Sequence, residues 1–170
     1  PVIKDVWELR ERMATKGIFE DLFLSKTNEK VQQVLRMSEY LNPSYHVVVG
    51  NPPYFSKGMD ADFKRFARDY YPDSKTDTLS MFVERSLDFS RSDGYVGMIT
   101  LMSWMFLSSF EKFRMNVLEQ KTILTMAHLG AHAFDTIGGE VVSTTMFVLN
   151  NNHILSLRRK YFRFLVGNTE

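Results

Sequence analysis

Four consecutive residues, Asn51-Pro52-Pro53-Tyr54, could do chemistry through hydrogen-bond acceptance and ring stacking, without an ionisable base. They follow His46-Val47-Val48-Val49-Gly50, whose three β-branched residues predict a buried strand that Gly50 to Pro53 end abruptly. Neither proline donates a backbone N–H and each has a fixed φ, so the turn is stiff. Its carbonyls are expected to stay free as acceptors. The Asn51 amide and the Tyr54 ring flank the prolines at the strand's carboxyl end, the edge where open α/β sheets bind ligands. The same residues also suit a proline-rich turn that only closes a core strand.

Other chemistries find little support. There is no cysteine, which excludes a disulfide framework and a thiolate zinc site. His46, His128, His132 and His153 lack a metal-ligand spacing such as H-E-x-x-H, and no metal is expected. With 170 residues, 44% hydrophobic and 24% charged, the chain has material for one globular core. A net charge of +1 gives no chain-wide attraction for nucleic acid, so any DNA-binding surface must be local or supplied elsewhere. No run approaches the roughly 20 apolar residues of a membrane span. The opening Pro-Val-Ile-Lys-Asp-Val-Trp is not a signal peptide. A soluble, cytoplasmic protein without membrane contact is expected.

The elements that must position the turn follow from periodicity. Val6, Leu9 and Met13 recur at helical spacing, and Thr27-Asn28-Glu29-Lys30 offers a cap and first turn for a second helix that stops before Asn42-Pro43. Between Ser56 and Thr78, Phe63, Phe66, Tyr70 and Tyr71 alternate with Lys64, Arg65 and Arg68. That pattern suits either an amphipathic helix packing its rings on the core or a nucleic-acid contact. Asp77 or Thr78 caps a helix to about Ser90, with Leu79, Phe82, Val83, Ser86, Leu87 and Phe89 or Ser90 as its buried stripe and Glu84 and Arg85 facing out.

Arg91-Ser92-Asp93-Gly94 reads as a turn before a second strand, Tyr95 to Thr100, which completes a right-handed βαβ unit. Ser108 and Glu111 form a capping-box pattern for a helix carrying Phe113, Val117 and Leu118. Two further strands, Thr122–Leu129 and Val141–Leu149, have no helix between them and are expected to pair antiparallel. The tail Leu155 to Phe164 alternates basic and aromatic residues, as a charged edge strand or a nucleic-acid patch would.

The order of these features resembles the C-terminal half of the catalytic domain of S-adenosylmethionine-dependent adenine-N6 DNA methyltransferases, especially the large restriction-modification and phage-exclusion (BREX-type) enzymes. The matching residues are Asn51-Pro52-Pro53-Tyr54 after its strand; the helix opening Asp77-Thr78-Leu79-Ser80-Met81-Phe82-Val83-Glu84; and Asp93-Gly94-Tyr95-Val96-Gly97-Met98-Ile99-Thr100, with threonine where the family usually has proline. Ser109-Phe110 through Arg114 and Leu118, and Leu129-Gly130, Phe134 and Val142-Ser143-Thr144, follow in order. The resemblance covers roughly residues 44 to 150.

The resemblance implies an α/β fold: a partial Rossmann-like methyltransferase sheet of parallel strands plus an antiparallel last strand, with helices in a three-layer arrangement. The last strand inserts between its two predecessors in the chain. It implies a helical lead-in over 1–43, the catalytic half over 44–150, and the start of a DNA-recognition region or tail over 151–170.

The catalytic residues so implied are Asn51, Pro52, Pro53 and Tyr54. The Asn51 amide oxygen and the Pro52 carbonyl accept the two hydrogens of the adenine N6 amine, acceptors aimed at developing positive charge. Tyr54 and Phe134 stack on a base flipped out of double-stranded DNA. Phe134 equally suits a loop ring that covers the core.

The family's cofactor-binding Gly-rich turn, N-terminal to this motif, is absent. Cofactor-binding residues are therefore unknown, with Asn51 the one candidate. The chain is expected to be a fragment, a truncated gene product or one piece of a split enzyme, needing an N-terminal cofactor-binding half and a C-terminal DNA-recognition region. Alone it would bind S-adenosylmethionine weakly or not at all and would not methylate. An exposed sheet edge would favour self-association. The alternatives are a fragment of a protein glutamine-N5 methyltransferase, because such enzymes share Asn-Pro-Pro-Tyr, and a non-catalytic remnant acting as a binding module.

Overall fold

The computed structural model describes residues 22–42, 44–54, 58–130 and 143–164. Two compact units divide the chain, Pro1–Pro43 and Ser44–Glu170. In the first, helix α1 spans Leu22–Leu41. The helical pattern around Val6 to Met13 lies outside the described residues. The start expected at Thr27 is corrected: Thr27 to Lys30 lie within α1, because polar residues in an exposed helix interior cost only tenths of a kcal/mol and do not end it.

In the second unit β1 (Tyr45–Gly50) leads to α2 (Ala61–Tyr70), α3 (Thr78–Phe89) and β2 (Ser90–Leu101). Two 3₁₀ turns, Met102–Met105 and Ser108–Phe110, precede α4 (Glu111–Gln120), and β3 (Thr122–Gly130), β4 (Thr144–Asn150) and β5 (Lys160–Arg163) follow. The five strands form one sheet in the order β1-β2-β4-β3-β5. β1 and β2 are parallel, β4 runs antiparallel to both β2 and β3, and β5 is parallel to β3. β4 thus lies between its two predecessors in the chain, β2 and β3, as expected. The tail contributes β5, an edge strand.

Local chemistry explains most of the boundaries. The Asp60 carboxylate accepts the Phe63 amide at 2.7 Å and opens α2, and Asp77 accepts the Leu79 amide at 2.9 Å to open α3. The capping box expected at Ser108 does not form. Ser108 lies in a 3₁₀ turn, and α4 begins after Phe110 without a side-chain cap. Burying the Phe110 ring anchors that turn instead. The turn expected at Arg91 to Gly94 is also corrected, since strand geometry runs unbroken from Ser90 to Leu101. Tyr45 pairs with Ser90 and Val47 with Tyr95, so the extra residues bulge. The Asn151 amide holds that bulge by donating to the carbonyls of Leu87, Ser90 and Arg91.

The core fills one face of the sheet. Leu79, Val83 and Leu87 of α3, Phe113 and Val117 of α4, and Trp104 pack on Val96, Met98, Ile123, Phe147 and Leu149. Trp104 meets Phe113 and Phe147 edge-on at 5.5 and 5.4 Å and donates its indole N–H to Thr100 Oγ1.

Three expectations about burial change. Phe82 is half-exposed, because it faces α2 in a small apolar groove with Phe63, Phe66 and Tyr71, and Met81 is buried in its place. The Phe66 ring meets those of Tyr70 and Tyr71 in tilted contacts at 4.9 and 5.8 Å, and none of the three enters the main core. β1 is an edge strand, not a buried one: Val47 is 57% exposed and Val49 78%. An apolar run does not say whether both of its faces are covered, and here α3 covers only the face that carries Val48. Among the described residues of this unit the helices make two layers with the sheet, not three.

Candidate functional site

Asn51-Pro52-Pro53-Tyr54 leaves the carboxyl end of β1 directly after Gly50. Gly50 is tightly placed, since a Cβ there would approach Met98 Sδ to 3.1 Å. Pro52 is buried between exposed Asn51 and Pro53. Tyr54 is half-buried against the core, and its phenol donates to Asn51 Oδ1 at 3.0 Å and lies 3.4 Å from the Ile99 carbonyl on β2. Burial raises the phenol's pKa, so it remains a donor at neutral pH. The ring therefore ties the amide of Asn51 to the neighbouring strand.

The expectation that the turn's carbonyls stay free holds only in part. The Pro53 carbonyl accepts the Thr78 hydroxyl at 2.7 Å, which clamps the turn to the first residue of α3. No donor among the described residues reaches the Pro52 carbonyl. An amide oxygen has two lone pairs. After Tyr54 has taken one, Asn51 Oδ1 keeps a second acceptor position, and the Pro52 carbonyl follows it in the chain. This arrangement can bind an N–H₂ group. It offers no nucleophile and no base.

Phe134 lies outside the described residues. The same carboxyl edge carries a second polar group that the sequence revealed only as a histidine without metal spacing. His128 on β3 bonds to Ser143 Oγ at 2.5 Å, and the Ser143 carbonyl accepts the Met102 amide at 2.8 Å. These contacts tie together the ends of β3, β4 and β2. Among the described residues no group of His, Asp and Glu side chains is arranged to hold a metal. A groove of about 480 Å³ lined by Glu84, Asp88, Asn116, Lys121 and Asn151 opens beside Ser90, at the opposite end of β2. It is remote from Asn51 and belongs to another part of the surface.

Thr78 and the Ile99 carbonyl are site residues that sequence reasoning missed. Thr78 follows a capping Asp77 and reads as an alternative cap, and a backbone carbonyl has no sequence signature.

S-adenosylmethionine requires acceptors for its ribose hydroxyls, usually an acidic side chain at a strand's carboxyl end. The described residues at the carboxyl ends of β1, β2, β3 and β5 are Asn51, Met102, Gly130 and Phe164, with no carboxylate among them. By themselves these residues do not fit the cofactor.

The family model for the Eco57I restriction-modification methylase matches residues 4–134. The chain is 38% identical to the adenine-specific methyltransferase BrxX of Escherichia coli O9:H4 (strain HS), covering 94% of this chain and 14% of that protein. It is also 38% identical to the adenine-specific methyltransferase PglX of Lacticaseibacillus casei (strain Zhang), covering 91% of this chain and 13% of that protein. The chain thus spans about one-seventh of the length of these relatives.

Among solved structures, a Listeria monocytogenes protein assigned to the class I S-adenosylmethionine-dependent methyltransferases aligns with a TM-score of 0.55 at 14% identity, over 75% of this chain and 39% of that one. The DrdV–DNA complex aligns with a TM-score of 0.56 at 18% identity, over 77% of this chain and 16% of that one. At such identities the likeness is one of fold. The half-sheet with its inserted antiparallel strand is methyltransferase-like.

Proposed function

The chain belongs to the Eco57I restriction-modification methylase family, and we propose that its Asn51–Tyr54 turn is the amine-binding part of a DNA adenine-N6 methyltransferase acting in restriction-modification or phage defence. The observation that carries this reading is the acceptor pair at the end of β1: a restrained amide oxygen on Asn51 and the adjacent Pro52 carbonyl. An exocyclic amine is a poor nucleophile because its lone pair is delocalised into the ring. Two acceptors that take its hydrogens together favour a tetrahedral nitrogen and stabilise the positive charge that develops there. Pre-organisation decides how much this contributes, and both acceptors are held: one by Tyr54, the other by a turn fastened at Pro53 to Thr78.

Tyr54 also offers a ring on which a flipped base stacks, and Phe134 is assigned the opposite face. S-adenosylmethionine, implied by the family and the fold, supplies an electrophilic methyl group when bound. The residues of this chain orient the acceptor amine.

The test is a graft. The matched region of the Escherichia coli BrxX relative is replaced by this chain, and transfer of labelled methyl from S-adenosylmethionine is followed on DNA and on protein. Label on adenine N6 is expected, with Asn51→Ala lowering kcat by about 10²-fold or more. Label on protein alone would exclude the DNA reading in favour of a glutamine acceptor. Full DNA activity in the Asn51→Ala graft would refute the role given to the amide.

A further inference from the structure

Charge is spread unevenly along the chain. Residues 141–169 hold Arg158, Arg159, Lys160 and Arg163 and no acidic side chain, whereas the whole chain nets only +1, so the remainder is net negative. All four basic side chains are exposed in or beside β5. Among the described residues none of them is in an ion pair. Tyr161, Phe162 and Phe164, interleaved with them, are each more than half exposed.

An edge strand is commonly guarded by charge against pairing with other chains. That role accounts for the cations and leaves the three exposed rings unexplained. The backbone adds donors to the same edge. β5 pairs with β3 through Lys160, Tyr161, Phe162 and Arg163, and the Phe164 amide donates to the His128 carbonyl at 2.9 Å. Alternation along the strand then turns the amides of Tyr161 and Arg163 toward the open side. Unpaired cations, outward amides and accessible ring faces together suit a polyanion that also presents flat bases.

The topology relates this edge to the Asn51 turn. β1, β2, β3 and β5 all run in one direction, so Arg163 and Phe164 emerge at the sheet edge that carries Asn51. Four inter-strand steps of about 4.8 Å separate β1 from β5 by roughly 19 Å. That distance corresponds to about five or six nucleotide steps at 3.4 Å each along one strand.

We propose that the β5 edge, through Arg158, Arg159, Lys160 and Arg163, holds the phosphate backbone of the DNA whose target base is presented to the Asn51 turn. The assignment rests on the DNA reading above and adds to it a surface and a path for the strand.

The experiment measures binding of the chain to a fluorescein-labelled random-sequence duplex by anisotropy over a series of KCl concentrations. Each phosphate neutralised contributes about 0.9 to the slope of log affinity against log salt. Replacing all four cations by Gln is therefore expected to flatten the slope by about three to four, with the circular dichroism spectrum kept. A second variant, Arg158→Lys, Arg159→Lys and Arg163→Lys, keeps the charge and is expected to keep the slope.

An unchanged slope in the Gln variant, or no duplex binding by the chain at low salt, would overturn the proposal. So would tighter binding to phosphatidylglycerol vesicles than to DNA at matched anion concentration, which would make the partner a membrane surface. Failure here is separable from failure of the methyltransferase reading. An unaltered slope with adenine still labelled in the graft removes only the β5 contact. Label on protein alone, with a slope that depends on β5, removes only the assignment of DNA as methyl acceptor.

Discussion

Tyr54 has one hydroxyl proton and gives it to Asn51, so the phenol acts on the site through the amide it restrains. Tyr54→Phe keeps the ring and its packing on the core but frees Asn51 to rotate. The expected cost in stability is only about 1 kcal/mol, that of one partly exposed hydrogen bond. The expected cost in methyl transfer by the graft is on the order of tenfold in kcat with little change in KM, because orientation of the acceptor counts most at the transition state. Steady-state kinetics separate the two parameters, and an unchanged kcat would contradict the restraining role.

Glu84 gives a test of electrostatics away from the site. Burial raises its pKa, the hydrogen bond from Ser74 opposes that, and the charges of Asp88 and Asp73 add to the rise. Below the ordinary carboxyl value of 4.5 the group is protonated in both folded and unfolded chains and imposes no penalty. As the pH climbs through the raised folded value, the unfolded chain releases its proton more readily and stability is lost. Glu84→Gln is therefore expected to be more stable than the parent at pH 7 and equal to it at pH 4. The gain should stay below about 1 kcal/mol because solvent screens a group so partly covered. Urea titrations at the two pH values measure the difference.

At the scale of elements, Trp104 closes the space between the sheet and α4 and is 1% exposed. Trp104→Ala should cost about 3–5 kcal/mol through the cavity it leaves, read as a fall in the urea midpoint. Gly94 tests the bulge in β2. A Cβ there would meet Ser90 Oγ at 2.6 Å, the Arg91 amide at 3.0 Å and the His46 carbonyl at 3.0 Å. Two of these are backbone atoms that cannot swing away, so Gly94→Ala should destabilise by about 1–3 kcal/mol.

These elements also mark where the sequence was informative. α3 was legible because its Asp77 cap and apolar stripe agree, and β4 because Thr144, Thr145 and Val148 recur among apolar residues. The early start of α1 and the failed capping box at Ser108 were not, since a cap motif speaks only for its own turn. The bulge from Arg91 to Gly94 depends on Asn151, some 60 residues away along the chain, and no local pattern encodes it. The acceptor turn was legible as a motif, whereas the clamp of Thr78 on the Pro53 carbonyl arises from tertiary packing.

At the scale of the whole molecule, the decisive property is that the sheet in Ser44–Glu170 has its described helices on one face. Side chains alternate along a strand, so a run such as Val47-Val48-Val49 must present two of its three valines to the other face. Val47 and Val49 are more than half uncovered there and Tyr95 and Met146 nearly half, and among the described residues β1 beside them ends the sheet. An apolar stripe next to an unpaired strand edge combines the two features that drive chains together. The 170-residue chain is therefore expected to associate with itself, with an apparent mass that rises with concentration through the micromolar range.

Val47→Lys together with Val49→Lys should shift that equilibrium toward monomer. The substitutions place charge on positions already open to water, and such changes usually alter folding stability by no more than about 0.5 kcal/mol each. Sedimentation velocity on parent and variant, with circular dichroism as the control for folding, distinguishes the possibilities. A parent chain that stays monomeric at every concentration would mean that this stripe is not an association surface. A variant that associates as strongly as the parent would move the contact away from β1, with the opposite edge at β5 next to be tested in the same way.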